Sequence, residues 1–239
     1  MRPILLLTRP DQSSRRFAQR ARRDCPPHLP LIAPLSRIVA LPFDPSVVET
    51  ADGVILTSAN AIPMLPPLPG LSAWCVGPAT THAAQTAGLD ARNGGGDAAA
   101  LIDTLIAARP AGHLVHAHGA PISRDVAGAL SASGLNVTAL PVYEAQGMDW
   151  APETLTALKS AQGVVAPLFS PRAARRFVRN LGDVRPAGLR IVAISAACAA
   201  QLPAKLREIA VVAARPDAPA MLTQIAAELS QAGPGPLRV

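Results

Sequence analysis

Hydroxyl and amide side chains collect where apolar stretches of the sequence end. Thr57, Ser58 and Asn60 follow the apolar run GVIL, and Ser170 with Pro171 follows GVVAPLF. Serine, threonine and asparagine often cap helix N-termini, whose free backbone N–H groups and partial positive charge also bind anions. Both stretches therefore predict either an ordinary helix cap or an anion-binding turn.

Further residues stand at corresponding junctions between a strand pattern and a helix pattern. They are Gly77, Thr80, His118, Gly119, Arg172 and Ser195. In a parallel α/β sheet the carboxyl ends of the strands lie at one edge, where ligands bind. Several polar junctions facing one cleft between two domains favour a ligand site over simple capping.

Other familiar catalytic patterns do not occur in the sequence. The stretch Asn93–Asp97 (NGGGD) lacks the spacing of a nucleotide-binding loop and predicts a flexible turn. Of His113, His116 and His118, only the last two share a face in a strand, which leaves too few ligands for a metal ion. We therefore expect no metal, and chemistry that depends on backbone dipoles and positioning.

Strands that are apolar throughout alternate with helices along the chain. The predicted strands are Pro3–Thr8, Leu29–Leu35, Gly53–Ser58, Ala73–Gly77, His113–Gly119, Asn136–Tyr143, Gly163–Phe169, Arg190–Ile194 and Glu208–Ala213. The predicted helices are Asp11–Arg23, Pro78–Gly88, Asp97–Ala108, Ile122–Gly134, Ser170–Gly182, Ser195–Leu202 and Ala218–Leu229, with a short helix after Ser58. This alternation predicts an α/β fold whose parallel sheets are flanked by helices on both faces.

The two halves of the sequence resemble each other. Each half has a Gly-Val strand that leads into a serine-capped helix, followed by a second strand and helix. The length of 239 residues suits two domains of ordinary size. We therefore expect two similar α/β domains, with candidate hinges at Pro26–Arg37 and Pro141–Met148 and a ligand cleft between the domains.

Charge and composition limit the partners. A net charge of +6 favours an anionic partner such as a nucleic acid, a phosphate or a polycarboxylate. Aromatic residues make up only 3% of the chain, so the arginines have no base-stacking platform beside them and we expect no nucleic-acid partner. The dense cluster Arg15–Arg23 is typical of a solvated helix face.

Membrane insertion and export are not predicted either. No apolar run reaches the ~18 residues of a membrane span, and the short run Ile4–Leu7 is followed by Thr-Arg-Pro rather than a cleavage site. Cys25, Cys75 and Cys198 are widely spaced and predict buried, reduced thiols. We expect a cytoplasmic protein.

Five stretches resemble, in the same order, the uroporphyrinogen-III synthase family. They are LLLTRP, GVILTSANAI, VGPATTHAAQTAG, SGLNVTALPVYEA and FSPRAARRF. The resemblance implies two α/β domains joined by a two-stranded linker. The first would comprise residues 1–34 and 145–239 and the second residues 37–141, with linkers at about 35–36 and 142–144.

The resemblance also implies the reaction. The family cyclises hydroxymethylbilane, a linear tetrapyrrole with eight carboxylates, as a hydro-lyase in tetrapyrrole and heme biosynthesis. The terminal hydroxyl is lost as water and ring D is inverted through a spiro intermediate. No cofactor is implied, and the expected partner is this small-molecule substrate, bound by a cytoplasmic monomer.

The resemblance assigns roles to particular residues. Tyr143 would be the catalytic group that assists departure of the hydroxyl, and Thr80 would bind substrate. Arg9 corresponds to the family's N-terminal arginine, and the turns at Thr57 and Ser170 would bind substrate. The chain departs from the family at Ala197, which stands where a threonine is frequent, and at LFSP, which lacks the threonine before serine.

Two alternatives stay open at this point. A non-catalytic, two-domain cytosolic protein that binds or senses a small anionic ligand would need the same cleft and the same turns. Tyr143, the only tyrosine, is equally explained as an amphipathic side chain packed at a hinge with its hydroxyl in water.

Overall fold

The fold is described from a computed structural model, which covers residues 2–122 and 124–232. The chain divides into two compact units. Unit 1 comprises residues 1–37 and 147–239, and unit 2 comprises residues 38–146. The domain limits and linkers expected from the resemblance stay predictions.

Strands and helices alternate along most of the chain. The strands are β1 (Ile4–Leu7), β2 (Leu29–Ile32), β3 (Ser36–Ala40), β4 (Gly53–Leu56), β5 (Ser72–Cys75), β6 (Asp90–Asn93), β7 (His113–Ala120), β8 (Asn136–Gly147), β9 (Val164–Leu168), β10 (Leu189–Ala193) and β11 (Ala210–Val212). The α-helices are α1 (Asp11–Asp24), α2 (Ser46–Glu49), α3 (Pro78–Thr86), α4 (Ala98–Ala108), α5 (Val126–Ala132), α6 (Pro152–Ser160), α7 (Pro171–Leu181), α8 (Ala196–Ala199), α9 (Ala204–Arg207) and α10 (Ala218–Ala232). A 3-10 helix covers Ala59–Met64.

Unit 1 is built on a five-stranded sheet in the order β11-β10-β9-β1-β2, in which neighbouring strands are parallel. Successive residues of β1 point to opposite faces. Leu6 packs with Phe177 of α7 in one apolar layer, whereas Leu5 and Leu7 pack with Ile225 of α10 in the other. The sheet is therefore covered by helices on both faces.

The sheet of unit 2 has the order β3-β8-β7-β4-β5-β6. The pairs β4–β5, β4–β7, β5–β6 and β7–β8 are parallel. Leu56 faces the layer that contains Ala61 and Ala84, and Ile55 faces the layer that contains Leu101 and Leu130. The predicted α/β class, with parallel sheets flanked by helices, is confirmed in both units.

Several predicted boundaries were wrong for local reasons. The helix expected over Ile122–Gly134 begins at Val126, because Asp125 caps it by accepting the Gly128 N–H at 2.8 Å; Ser123 lies outside the described residues. The strand expected to reach Leu35 ends at Ile32. The helix expected over Ser195–Leu202 is the short α8.

The sequence pattern also missed elements. These are the strands β3 and β6 and the helices α2, α6 and α9. The stretch Asn93–Asp97 forms a turn held by bonds from the N–H groups of Gly94 and Gly96 to carbonyl oxygens of β5 and the residue after it. Its flexibility stays a prediction. Within the described residues, no helix combines the length and apolarity needed to cross a membrane.

Candidate functional site

The turn after β4 divides its polar groups between two tasks. Ser58 caps the 3-10 helix by accepting the Asn60 N–H at 3.2 Å. Thr57 instead places its hydroxyl 3.2 Å from Nε2 of His116, on the neighbouring strand β7. The serine is therefore an ordinary cap, whereas the threonine joins a side-chain network on β7.

His116 and His118 share one face of β7, as the strand pattern predicted, and their ring centroids lie 4.8 Å apart. His116 is 2% exposed. Desolvation, and secondarily the charge of His118, lower the pKa of His116 to about 4, although Asp125 acts in the opposite direction. His116 is therefore neutral near pH 7.

The second imidazole has a defined tautomer. Nδ1 of His118 lies 3.2 Å from the carbonyl oxygen of Gly119. Since a carbonyl only accepts, Nδ1 carries the proton of this hydrogen bond, and Nε2 of a neutral His118 is an acceptor. The described residues contain no group of three or more histidine, cysteine, aspartate or glutamate side chains able to hold a metal ion.

Tyr143 lies directly beside Gly119. The β7–β8 ladder shifts register between His118 and Gly119, so that His118 pairs with Pro141 and Gly119 pairs with Tyr143. The Tyr143 ring is half-buried against Val142 and the apolar layer around it. Its hydroxyl makes no hydrogen bond to the residues that the structure describes.

These side chains line a cavity of about 260 Å³ within unit 2. It brings together five of the residues predicted from the sequence: Thr57, Ser58, His118, Gly119 and Tyr143. His116 and Arg124 also line it and were not predicted as site residues. The cavity therefore combines a phenol, two imidazoles, two aliphatic hydroxyls and a guanidinium.

Asn60, Gly77 and Thr80 do not line this cavity. Gly77 precedes α3 and has no side chain with which to cap it, while Pro78 occupies the first turn. Thr80 is buried at 6% exposure, and its neighbour Thr81 donates its hydroxyl to the Gly77 carbonyl at 3.1 Å. The α3 turn is a separate helix N-terminus at the carboxyl end of β5.

In unit 1 the two predicted serines are helix caps. Ser170 accepts the Ala173 N–H at 3.1 Å, with Pro171 in the first turn of α7, and Ser195 accepts the Cys198 N–H at 3.3 Å. The Cys198 thiol donates to the Ser170 carbonyl at 3.3 Å. The cysteine thus ties the two turns together at the carboxyl ends of β9 and β10.

Arg9 supplies the charge next to these turns. Its guanidinium carbon lies 4.7 Å from the ring centroid of Phe169, the residue before Ser170. Desolvation, and secondarily the charge of Arg16, lower the pKa of Arg9. Within the described part of the chain no carboxylate pairs with Arg9, so it is a partly desolvated cation without a counter-ion.

Helix α7 carries four further arginines, Arg172, Arg175, Arg176 and Arg179. Arg172 makes no ion pair with the described residues and adds positive charge after Ser170 and Pro171. Desolvation, and then the charges of Arg172 and Arg179, lower the pKa of Arg176. At the carboxyl edge of this sheet, Arg9 and Arg172 are therefore cations whose charge an anionic ligand would stabilise.

Comparison with known proteins identifies the fold and the family of this chain. A family model described as uroporphyrinogen-III synthase HemD matches residues 28–223. The structure of uroporphyrinogen-III synthetase from Helicobacter pylori 26695 superposes with a TM-score of 0.63 at 17% identity, covering 94% of this chain and 98% of that one. A mutant uroporphyrinogen III synthase from the bacterium Thermus thermophilus gives a TM-score of 0.50 at 17% identity, with 97% and 100% covered. A comparison with curated protein sequences finds no match.

The protein belongs to the class of α/β proteins and is built of two units with parallel sheets. It shares its fold with the Helicobacter pylori structure over nearly the whole chain. Because the family model spans most of the 239 residues, the chain belongs to the uroporphyrinogen-III synthase family. It is an enzyme of tetrapyrrole biosynthesis. The alternative of a non-catalytic binding or sensor protein is not favoured.

Proposed function

We propose that the chain is a cyclising hydro-lyase that converts hydroxymethylbilane to uroporphyrinogen III, with loss of water and inversion of ring D and without a cofactor or metal. We further propose that it acts as a cytoplasmic monomer on this small molecule alone. The single observation that carries the proposal, beyond family membership, is the unit 2 cavity, which Tyr143 lines together with Thr57 and His118.

Tyr143 is the proposed catalytic acid. A phenol can donate its proton to the departing hydroxyl, which then leaves as water. The proton that a pyrrole carbon loses at ring closure restores the phenol, so atoms and charge balance over one turnover. His116 is not the acid, because burial lowers its pKa to about 4 and the neutral side chain has no imidazolium proton to donate.

Carboxylate binding is the proposed task of the cations and helix N-termini. Arg124 lines the unit 2 cavity, and Arg9 is half-buried beside the Ser170 turn without a counter-ion among the described residues. The 11-residue helix α7 begins at the same turn, with its positive dipole end toward the carboxyl edge of the sheet. A substrate with eight carboxylates suits these groups and the net charge of +6.

The reaction itself provides the test. Hydroxymethylbilane is supplied to the purified protein, and the uroporphyrinogen isomers are separated after oxidation. We expect isomer III in excess. Formation of isomer I alone, the product of spontaneous closure, would overturn the enzyme assignment and return the non-catalytic binding protein to consideration.

A further inference from the structure

Gly119 occupies a position where the space for a side chain is already filled. A Cβ atom built on Gly119 would lie 2.4 Å from both Cε2 and Cζ of Tyr143, and 2.8 Å from its hydroxyl oxygen. Carbon atoms in contact are normally about 3.5–4.0 Å apart. The aromatic ring of Tyr143 therefore lies where any side chain at residue 119 would have to be.

This restriction is purely one of space. Gly119 is not among the glycines with a positive φ, so its backbone conformation is open to any L-residue. The nearest atoms to the added Cβ all belong to the Tyr143 side chain. Because the tightest contacts are with one phenol ring rather than with backbone atoms, the position of that ring is sufficient to explain a glycine here.

The register irregularity creates this close approach. Before it, each residue of β7 pairs with its partner in step, ending with His118 and Pro141. The ladder then resumes with Gly119 opposite Tyr143, so that Val142 is the extra residue of β8. Such bulges re-aim a side chain locally, and here the re-aimed side chain is that of Tyr143.

We propose that Gly119 is a positioning residue: the absence of a side chain there admits the Tyr143 ring and sets its hydroxyl at the cavity beside Thr57 and His118. The proposal rests on the function proposed for Tyr143. It differs from the sequence-based expectation that Gly119 itself contacts substrate. Its direct consequence is that an added methyl group displaces the ring without breaking the sheet, because the far end of a side chain can move.

The first test reads the ring position without reference to activity. Tyr143 is the only tyrosine in the chain, so one set of tyrosine ring signals in an NMR spectrum reports it alone. In Gly119→Ala we expect these signals to shift while the melting temperature stays close to that of the wild type. The control is Gly147→Ala, at the end of β8, where the three atoms nearest to the added Cβ all belong to the Arg176 side chain, the closest at 3.4 Å.

The second test measures the effect of Gly119→Ala on kcat and KM. A displacement of about 1 Å in a reacting group can cost on the order of 100-fold in rate. We expect Gly119→Ala to lower kcat by about that factor with little change in KM. In a Tyr143→Phe background, where no hydroxyl is left to misplace, the same change should lower kcat by less than about twofold, since effects of residues that act as a unit are not additive.

The outcomes separate this inference from the function on which it rests. Unchanged Tyr143 signals in Gly119→Ala, or a full loss of about 100-fold in the Tyr143→Phe background, overturn the positioning role. If Tyr143→Phe retains full activity, the catalytic role of Tyr143 fails, while a shift of its signals in Gly119→Ala still supports the steric relation. Should Gly119→Ala not fold, Gly119→Ala/Tyr143→Ala must fold, and an unfolded double variant overturns the inference.

Discussion

The turns at the carboxyl ends of the two sheets use similar residues for different purposes. In unit 1, Ser170 and Ser195 use their hydroxyl oxygens as helix caps, and the chemistry that remains is the charge of Arg9. In unit 2, Thr57 turns away from capping and contacts His116, beside a cavity that holds the Tyr143 phenol. The same architecture thus presents cations in one unit, and in the other a cavity lined by a phenol and two imidazoles.

The difference arises from what the neighbouring strand contributes. Beside Ser170, the neighbouring strand β10 leads to Ser195 and Cys198, whose groups complete a capping network. Beside Thr57, strand β7 carries the imidazoles of His116 and His118, and its Gly119 leaves room for an aromatic ring from β8. Removing a side-chain group from the unit 2 cavity should therefore lower kcat. Removing one from the unit 1 turns should instead change substrate affinity or stability.

The largest expected effect is that of Tyr143→Phe, which removes one oxygen from the unit 2 cavity. We expect kcat to fall by about 10²–10⁴-fold, the usual contribution of a positioned acid. The melting temperature should not change, because the hydroxyl makes no hydrogen bond to the described residues. Thr156→Val, which removes an exposed hydroxyl on α6, serves as the control and should keep wild-type kcat.

The buried imidazole of unit 2 should make stability depend on pH. The folded protein protonates His116 only near pH 4, whereas the unfolded chain does so near 6.5, so the unfolded state binds more protons between these values. Stability should fall as the pH is lowered from 6.5 to 4, by a few kcal/mol at most, because one pKa unit corresponds to about 1.4 kcal/mol. Urea unfolding at both pH values measures this difference in the free energy of unfolding.

His116→Gln tests whether this residue is the origin of the pH dependence. Glutamine is neutral over the whole range and can still bond to Thr57. The variant should lose less stability on acidification than the wild type, whereas His113→Gln, at the start of the same strand, should behave like the wild type. Equal acid sensitivity in His116→Gln and the wild type would contradict the assignment.

Arg9, the cation of unit 1, should contribute to the affinity for substrate. Arg9→Gln removes a charge that desolvation makes unfavourable in the free protein, so we expect unchanged or slightly higher stability. A hydrogen bond to a charged group contributes about 1.5–3 kcal/mol, which corresponds to a rise in KM of roughly 10–150-fold. Steady-state kinetics measure this rise in KM. The exposed Arg22→Gln removes the same net charge and serves as the control. If Arg9→Gln and Arg22→Gln raise KM equally, Arg9 contributes only through the net charge of the protein.

The smallest expected effect concerns the caps of unit 1. Ser170→Ala should cost about 1 kcal/mol of folding free energy, and Ser170→Gly only a few tenths, because glycine is tolerated at a helix N-cap. Thermal unfolding distinguishes the two variants. A loss of kcat in Ser170→Ala as large as in Tyr143→Phe would show that the serine does chemistry and is more than a cap.

The sequence predicted the architecture well where apolar runs are long. The runs GVIL and GVVAPL become β4 and β9, with every residue described as buried. Strand β6 was missed because it is a polar edge strand, Asp90–Asn93, in which only Ala91 is buried. Its position depends on pairing with β5, which a local pattern does not record.

The site was harder to predict, because its contacts join distant parts of the chain. Thr57 was identified from its place after a strand, and His116 was noticed for its spacing from His118. Nothing in the sequence showed that these two residues, 59 positions apart, are partners. Arg124 lies in an irregular segment with no motif. The closeness of Gly119 and Tyr143 depends on a register shift between two strands, and the sequence of either strand does not reveal it.

The contrast between the two units is tested most directly by steady-state kinetics of Tyr143→Phe and Arg9→Gln measured side by side on hydroxymethylbilane. We predict that Tyr143→Phe loses kcat at nearly constant KM and that Arg9→Gln raises KM at nearly constant kcat. The reverse pattern, or a loss of kcat in Arg9→Gln as large as that in Tyr143→Phe, would contradict the assignment of the chemistry to the cavity of unit 2.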